Sequence, residues 1–170
     1  MNTTLKLSLI NCGYTTEHLI NTNKDLNTSI KHLNTLVNKE HLVKEYHMLF
    51  GKINAIYSLS KTSLNKFRNE GFYIYKHDSS QLEHDYLLQK VFLSLSDKER
   101  HSWQNETALK ARFGKNATTS DAMFIKNNKL IAVEIFTPSY DKKTIQQKMQ
   151  FISRICDDYI ILNTKDFSWR

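Results

Sequence analysis

Two carboxylates stand where acids are costly. Asp121 falls immediately before the apolar run Ala122-Met123-Phe124-Ile125, and Glu134 is embedded in Leu130-Ile131-Ala132-Val133-Glu134-Ile135-Phe136. A carboxylate inside an apolar strand is expensive to bury unless it is paired or holds a cation. Both runs read as strands, and Lys126-Asn127-Asn128-Lys129 between them tolerates positive φ and predicts a tight hairpin. Across such a hairpin the two acids can approach each other and offer several oxygens to Mg2+ (or Mn2+). Mg2+ prefers one or two carboxylates completed by water and phosphate. Glu106, shortly after Trp103, can reach the same cluster from the start of a helix. Plainer readings stand beside these. Asp121 can simply close the Ala117–Ser120 loop, Glu106 can serve a helix dipole, and Glu134 can turn to solvent on a half-exposed strand.

The elements that must position these acids follow from periodicity. Leu5, Leu7, Leu9 and Ile10, stopped by Gly13, read as a helix, although the alternation also suits a short strand. Thr15 or Thr16 caps a short helix to about Thr22, and Asn27 or Thr28 caps a third to about Asn38, with Ile30, Leu33 and Val37 as its buried stripe. Leu42 to Tyr46 and Ile53 to Leu59 flank a turn at Phe50-Gly51-Lys52 and predict a hairpin. A helix from Ser60 to about Asn69 ends at Gly71. Three short helices followed by a hairpin is the order of a winged helix, whose third helix enters the DNA major groove while the hairpin touches the backbone. In that arrangement Ser29, Lys31, His32 and Thr35 are the groove candidates, and Lys44 and Lys52 the phosphate contacts.

Residues 72–170 read differently. Phe72 to Tyr75 predicts a short strand, Gln81 to Ser96 a helix, Asp97 to His101 a charged segment and Thr107 to Phe113 a short helix. The two acid-bearing strands, a helix from Lys142 to Cys156 and a last strand from Tyr159 to Leu162 follow. The expectation is an α+β chain of two domains: 1–71, a winged helix, and 72–170, a small α/β domain.

With these pieces in place the chain resembles the PD-(D/E)XK nuclease superfamily, and more narrowly the replication-relaxation proteins and MobC-type plasmid relaxases. The resemblance rests on His84-Asp85 in Glu83–Leu88, Trp103-Gln104-Asn105-Glu106, Ser120-Asp121-Ala122 where the family has Pro-Asp-Ala, and Ala132-Val133-Glu134-Ile135. It implies a nuclease-like second domain in which Asp121 and Glu134 hold the metal, Glu106 supports it, and Glu83 or Asp85 adds a further acid. The family also carries a Lys two residues after the metal-binding Glu, or slightly later. Here that position is Phe136, so Lys142, Lys143 or Lys148 must supply the charge from the following helix, Lys142 and Lys143 at its start being the first candidates. The implied activity is metal-dependent nicking or cleavage of DNA in plasmid mobilisation, replication or another mobile-element process. The alternative is a catalytically degenerate winged-helix regulator or relaxosome accessory protein.

Composition is compatible with both. The 170 residues are 40% hydrophobic, which excludes a fully disordered chain, and a net charge of +7 favours a polyanion such as double-stranded DNA. A homodimer or a partner protein of a transposition or mobilisation complex fits such a role. Cys12 and Cys156 lack the spacing of a zinc site or disulfide framework, which suits a reducing, cytoplasmic setting. The N-terminal apolar stretch is too short for a secretory signal or a membrane span.

Overall fold

The structure, a computed structural model, describes residues 1–167. It is α+β, with eight α-helices and two sheets among the described residues. No helix among them is long and apolar enough to cross a membrane. The chain divides into two compact units, Met1–Ser94 and Leu95–Arg170.

The first unit begins with α1 (Thr3–Cys12), capped by the Asn2 side chain, which accepts from the Leu5 N–H. Gly13 at φ +84° ends it and turns the chain directly into β1 (Tyr14–Thr16). Thr16 then caps α2 (Glu17–Thr22), and Ser29, one or two residues later than the expected caps, caps α3 (Ile30–Asn38). The buried stripe of α3 is Leu33 and Leu36, with Ile30 and Val37 at its margin. β2 (Leu42–Leu49) and β3 (Lys52–Leu59) form the expected hairpin through Phe50 and Gly51, both at positive φ as a two-residue turn demands. The sheet runs β1-β3-β2 and is antiparallel throughout. α4 (Lys61–Asn69) follows, capped by Ser60.

Phe72–Tyr75 is not a strand. The Tyr75 N–H donates to the Ile10 carbonyl at 2.8 Å, satisfying one of the orphan acceptors that close α1, and Ile74 and Tyr75 are buried. α5 (Leu82–Ser94) also belongs with this unit, because the Tyr14 hydroxyl donates to the Leu82 carbonyl at 2.5 Å and Gln89 bonds Ser8. The boundary drawn from the sequence at residue 71 therefore falls inside the first unit, whose core gathers Leu5, Leu9, Tyr14, Leu33, Ile56, Tyr86 and Phe92.

The second unit opens with α6 (Asp97–Ser102), a helix where the sequence suggested only a charged segment. Ser96 and Glu99 form a reciprocal capping box at its start. β4 (Gln104–Asn105) leads into α7 (Glu106–Phe113), which Asn105 caps. β5 (Ala122–Lys126) and β6 (Lys129–Phe136) are joined through Asn127 and Asn128 at φ +51° and +61°. α8 (Lys142–Ile155), capped by Asp141, returns the chain to β7 (Asp158–Asn163), parallel to β6. The sheet order is β4-β5-β6-β7, with Trp103 stacked on Phe124 at 6.0 Å and Phe113 edge-on to Phe151 at 5.2 Å.

The two turn glycines make different demands. At Gly13 an added Cβ would lie 2.8 Å from the His77 Cβ and 3.0 Å from its backbone nitrogen, whereas at Gly51 it would meet nothing. Gly51→Ala is expected to cost about 1–2 kcal/mol from positive φ alone. Gly13→Ala should cost about 1–3 kcal/mol more, because backbone must also shift. Urea unfolding of both variants checks this, and equal losses would exclude the close approach as a cause.

Candidate functional site

Asp121 and Glu134 are brought together by register. Ala122 faces Val133 across the hairpin, and the Asp121 N–H continues the ladder by donating to the Val133 carbonyl at 3.1 Å. The Asp121 carboxylate is thereby held at the start of β5 next to the middle of β6. Its Oδ2 accepts the Ile135 N–H at 2.7 Å, fixing the side chain. Glu134 is fully buried, as are its neighbours Ile131 to Ile135, so both faces of β6 are covered and the solvent-facing reading of this acid is excluded.

A lysine completes the cluster: of the three helix lysines offered by the sequence it is Lys148, not the first candidates Lys142 and Lys143. Lys142 and Lys143 are exposed in the first turn of α8. Lys148 lies further along the same helix, on its buried face with Ile152, and only 8% of it is exposed. Its Nζ stands 3.0 Å from Asp121 Oδ1 and 2.6 Å from Glu134 Oε1. Burial alone would lower the pKa of this ammonium, but Asp121 and Glu134 outweigh it and hold the value above that of an ordinary lysine. The ring of Tyr140 lies beside the ammonium, 5.4 Å from Nζ to the centroid. Its hydroxyl is pushed up to about 12, by burial first and by the Asp121 charge next.

Two carboxylates against one ammonium leave a net negative charge in a dry place. Each carboxylate sets one oxygen on the Lys148 ammonium, and two carboxylates match Mg2+ in donor type and number once water completes the shell. Glu106 pairs with Lys110 at 2.8 Å within α7, and its charge is among those that raise the Tyr140 hydroxyl. Among the described residues, no group of three or more His, Cys, Asp or Glu is placed to hold a metal ion.

The further acids implied by the resemblance have work inside the first unit. Glu83 accepts the Phe50 N–H at the hairpin turn at 2.8 Å. Asp85 is buried, with Oδ1 2.9 Å from His84 Nδ1 and accepting from the Tyr75 hydroxyl at 2.7 Å. Burial first, and then the Asp85 charge, raises the pKa of both the Cys12 thiol and the Tyr14 hydroxyl.

The groove candidates divide in two. Ser29, Lys31, His32 and Thr35 are exposed along α3, although the Ser29 hydroxyl is engaged as the helix cap and the Thr35 hydroxyl donates to the Lys31 carbonyl. Lys52 is exposed beside the hairpin turn. Lys44 is not offered to phosphate in this way. It pairs with Glu17 at 3.3 Å and lies over the Tyr57 and Tyr46 rings, 5.1 and 5.3 Å from their centroids. Its bond with Tyr57, above all, raises its pKa. The Tyr57 hydroxyl lies 2.9 Å from Glu17 and 3.2 Å from Asn34, a network that seats α2 and α3 on the sheet.

Comparison of the chain with models of protein families, with curated proteins and with solved structures finds no match.

Lys148→Met keeps the bulk and removes the charge, leaving two buried carboxylates face to face. It is expected to destabilise the second unit by about 3–5 kcal/mol at neutral pH. In the variant, burial and mutual repulsion raise the carboxylate values in the folded state, so their penalty appears as pH rises and the deficit shrinks toward pH of about 4. In the wild type the raised Lys148 value places its contribution below the unfolded lysine value, to be lost only in strong alkali. Denaturant unfolding of both proteins across this range tests the assignment, which a small, pH-independent deficit would overturn.

Proposed function

We propose that the chain binds double-stranded DNA through its first unit and breaks phosphodiester bonds through its second, with Mg2+ or Mn2+ as cofactor. The process served is the movement or replication of a plasmid or other mobile element, as the resemblance implies. The meeting of Asp121, Glu134 and Lys148 carries this reading. The mixed sheet supports it: two acids on neighbouring strands and a lysine from the next helix suit a PD-(D/E)XK nuclease in which the lysine has moved from the position of Phe136. The order α1-β1-α2-α3-β2-β3 with a β1-β3-β2 sheet supports a winged helix in the first unit, with α3 as the groove-reading helix.

In the second unit Asp121 and Glu134 would hold the divalent ion, which when bound supplies a Lewis acid for water activation and phosphate charge. The Ile135 N–H keeps Asp121 in its rotamer, so one carboxylate oxygen remains aimed at the cluster. Lys148, on the buried face of α8 beside both acids, would donate to a non-bridging phosphate oxygen as charge develops there. Water gives up a proton as it adds to phosphorus, one P–O ester bond breaks, and the departing oxygen takes up a proton in turn, so that one water is consumed per bond broken.

One observation favours a second reading. Lys148 already pairs with both acids, so the cluster also serves as an internal ion triad in a non-catalytic scaffold beside a DNA-reading unit. Supercoiled DNA incubated with Mg2+ or Mn2+ separates the two. Under the catalytic reading the wild type nicks, Asp121→Asn, Glu134→Gln and Lys148→Met lose at least about a hundredfold, and Lys142→Ala and Lys143→Ala retain activity. No nicking by the wild type, with a salt-sensitive footprint that survives Glu134→Gln, selects the scaffold.

DNA binding has its own check. Lys52→Ala should weaken all sequences alike and reduce the salt slope by about one. A change in sequence preference would contradict a phosphate contact.

A further inference from the structure

The sheet of the first unit ends on one side in β2, which among the described residues pairs only with β3. Exposed sheet edges are usually blunted by shortness, proline, a bulge or an outward lysine. None of these devices operates here. The strand is eight residues long and contains no proline. Its register with β3 runs unbroken from Leu42 opposite Leu59 to Leu49 opposite Lys52. Its one lysine, Lys44, is drawn back onto Glu17 and two tyrosine rings. Beside this open edge Tyr46 is 67% exposed and Met48 63%, and Ile53, opposite Met48 on β3, is 73% exposed.

The strand is also self-complementary. Side chains alternate in direction, placing Lys44, Tyr46 and Met48 on one face and Glu45 and His47 on the other. Glu45 and His47 are already near neighbours, with Nε2 and Oε2 3.8 Å apart. We propose that β2 pairs antiparallel with β2 of a second copy of this chain, about a twofold axis through Tyr46. In this register Tyr46 faces Tyr46, Lys44 faces Met48, and each Glu45 faces a His47 of the other copy. A slip of two residues in one direction opposes two Glu45 side chains, and in the other direction two His47 side chains. Only the register centred on Tyr46 brings unlike groups together twice, and an imidazole N–H can donate to the carboxylate whether or not the ring is charged. The result is a continuous sheet across two copies, β1-β3-β2 joined to its mirror order, with the ladder hydrogen bonds supplying affinity. It is independent of any cleavage by the second unit.

Sedimentation velocity of the full chain without DNA, from low to high micromolar concentration, reads the association. The wild type is expected to dimerise, and His47→Glu, which opposes carboxylates at both contacts, to weaken the dimer by about tenfold or more. The exchange Glu45→His with His47→Glu restores the complementarity and should recover it. Tyr46→Cys gives a second readout that does not disturb the ion pattern. Residues directly opposed on antiparallel strands have Cα atoms about 4.5–5.5 Å apart, within reach of a disulfide, so mild oxidation should link position 46 to itself. A monomer at every concentration overturns the proposal and leaves the edge to a strand of a different protein. Dimerisation unchanged by His47→Glu, no recovery in the exchange variant, or no cross-link at position 46 likewise overturns it.

Discussion

An ammonium buried between two carboxylates sets the terms for the second unit. Taking these groups out of water costs several kcal/mol each, and the cost is met only when all three arrive together with good geometry. Asp121 comes from the head of β5, Glu134 from the middle of β6 and Lys148 from the sheet-facing side of α8. No element can therefore be displaced without stranding a charge. The Ile135 N–H adds a fourth constraint, tying the Asp121 side chain to the backbone of the strand that carries Glu134. Such a cluster adds little net stability compared with apolar packing, but it penalises every alternative pairing of these strands and so holds the acids in register.

The first unit solves a different problem with tyrosine hydroxyls. Its tyrosines each present an apolar ring to the core and carry a hydroxyl to a waiting acceptor. Tyr14 reaches Leu82, Tyr75 reaches Asp85, and Tyr57 lies against both Glu17 and Asn34. The last contact sets α3 on the sheet, and the outer face of that helix is left to solvent. Lys44 is absorbed by that same network, so a residue that composition alone would assign to an anionic partner instead stabilises the platform beneath the helix.

Local signals were readable wherever a single residue type governs the backbone. Gly51 and the Asn127-Asn128 pair marked both hairpins, Ser60 and Gly71 bracketed α4, and the two acid-bearing strands stood out by their apolar runs. What escaped was decided at a distance. Phe72 to Tyr75 has strand-like composition, yet its backbone closes the end of α1, and α5 packs with elements far upstream. β1 is too short for any period to reveal. Two features that were under-read had a local trace. Ser96 and Glu99 have capping-box spacing, and they start α6. Lys148 occupies the buried stripe of α8 between Ile145 and Ile152, where an isolated cation signals a partner inside. Lys142 and Lys143, by contrast, were closer in sequence to Glu134 but lie on the first, exposed turn.

The bond from the Phe50 N–H to Glu83 has a thermodynamic consequence for the hairpin tip. A free two-residue turn fluctuates and must surrender that motion when a ligand stills it. Here a carboxylate at the start of α5 has already restrained the tip during folding, so less entropy remains to be lost on contact. Lys52, the neighbour of that turn, accordingly meets any binding surface from a prearranged base rather than from a swinging loop.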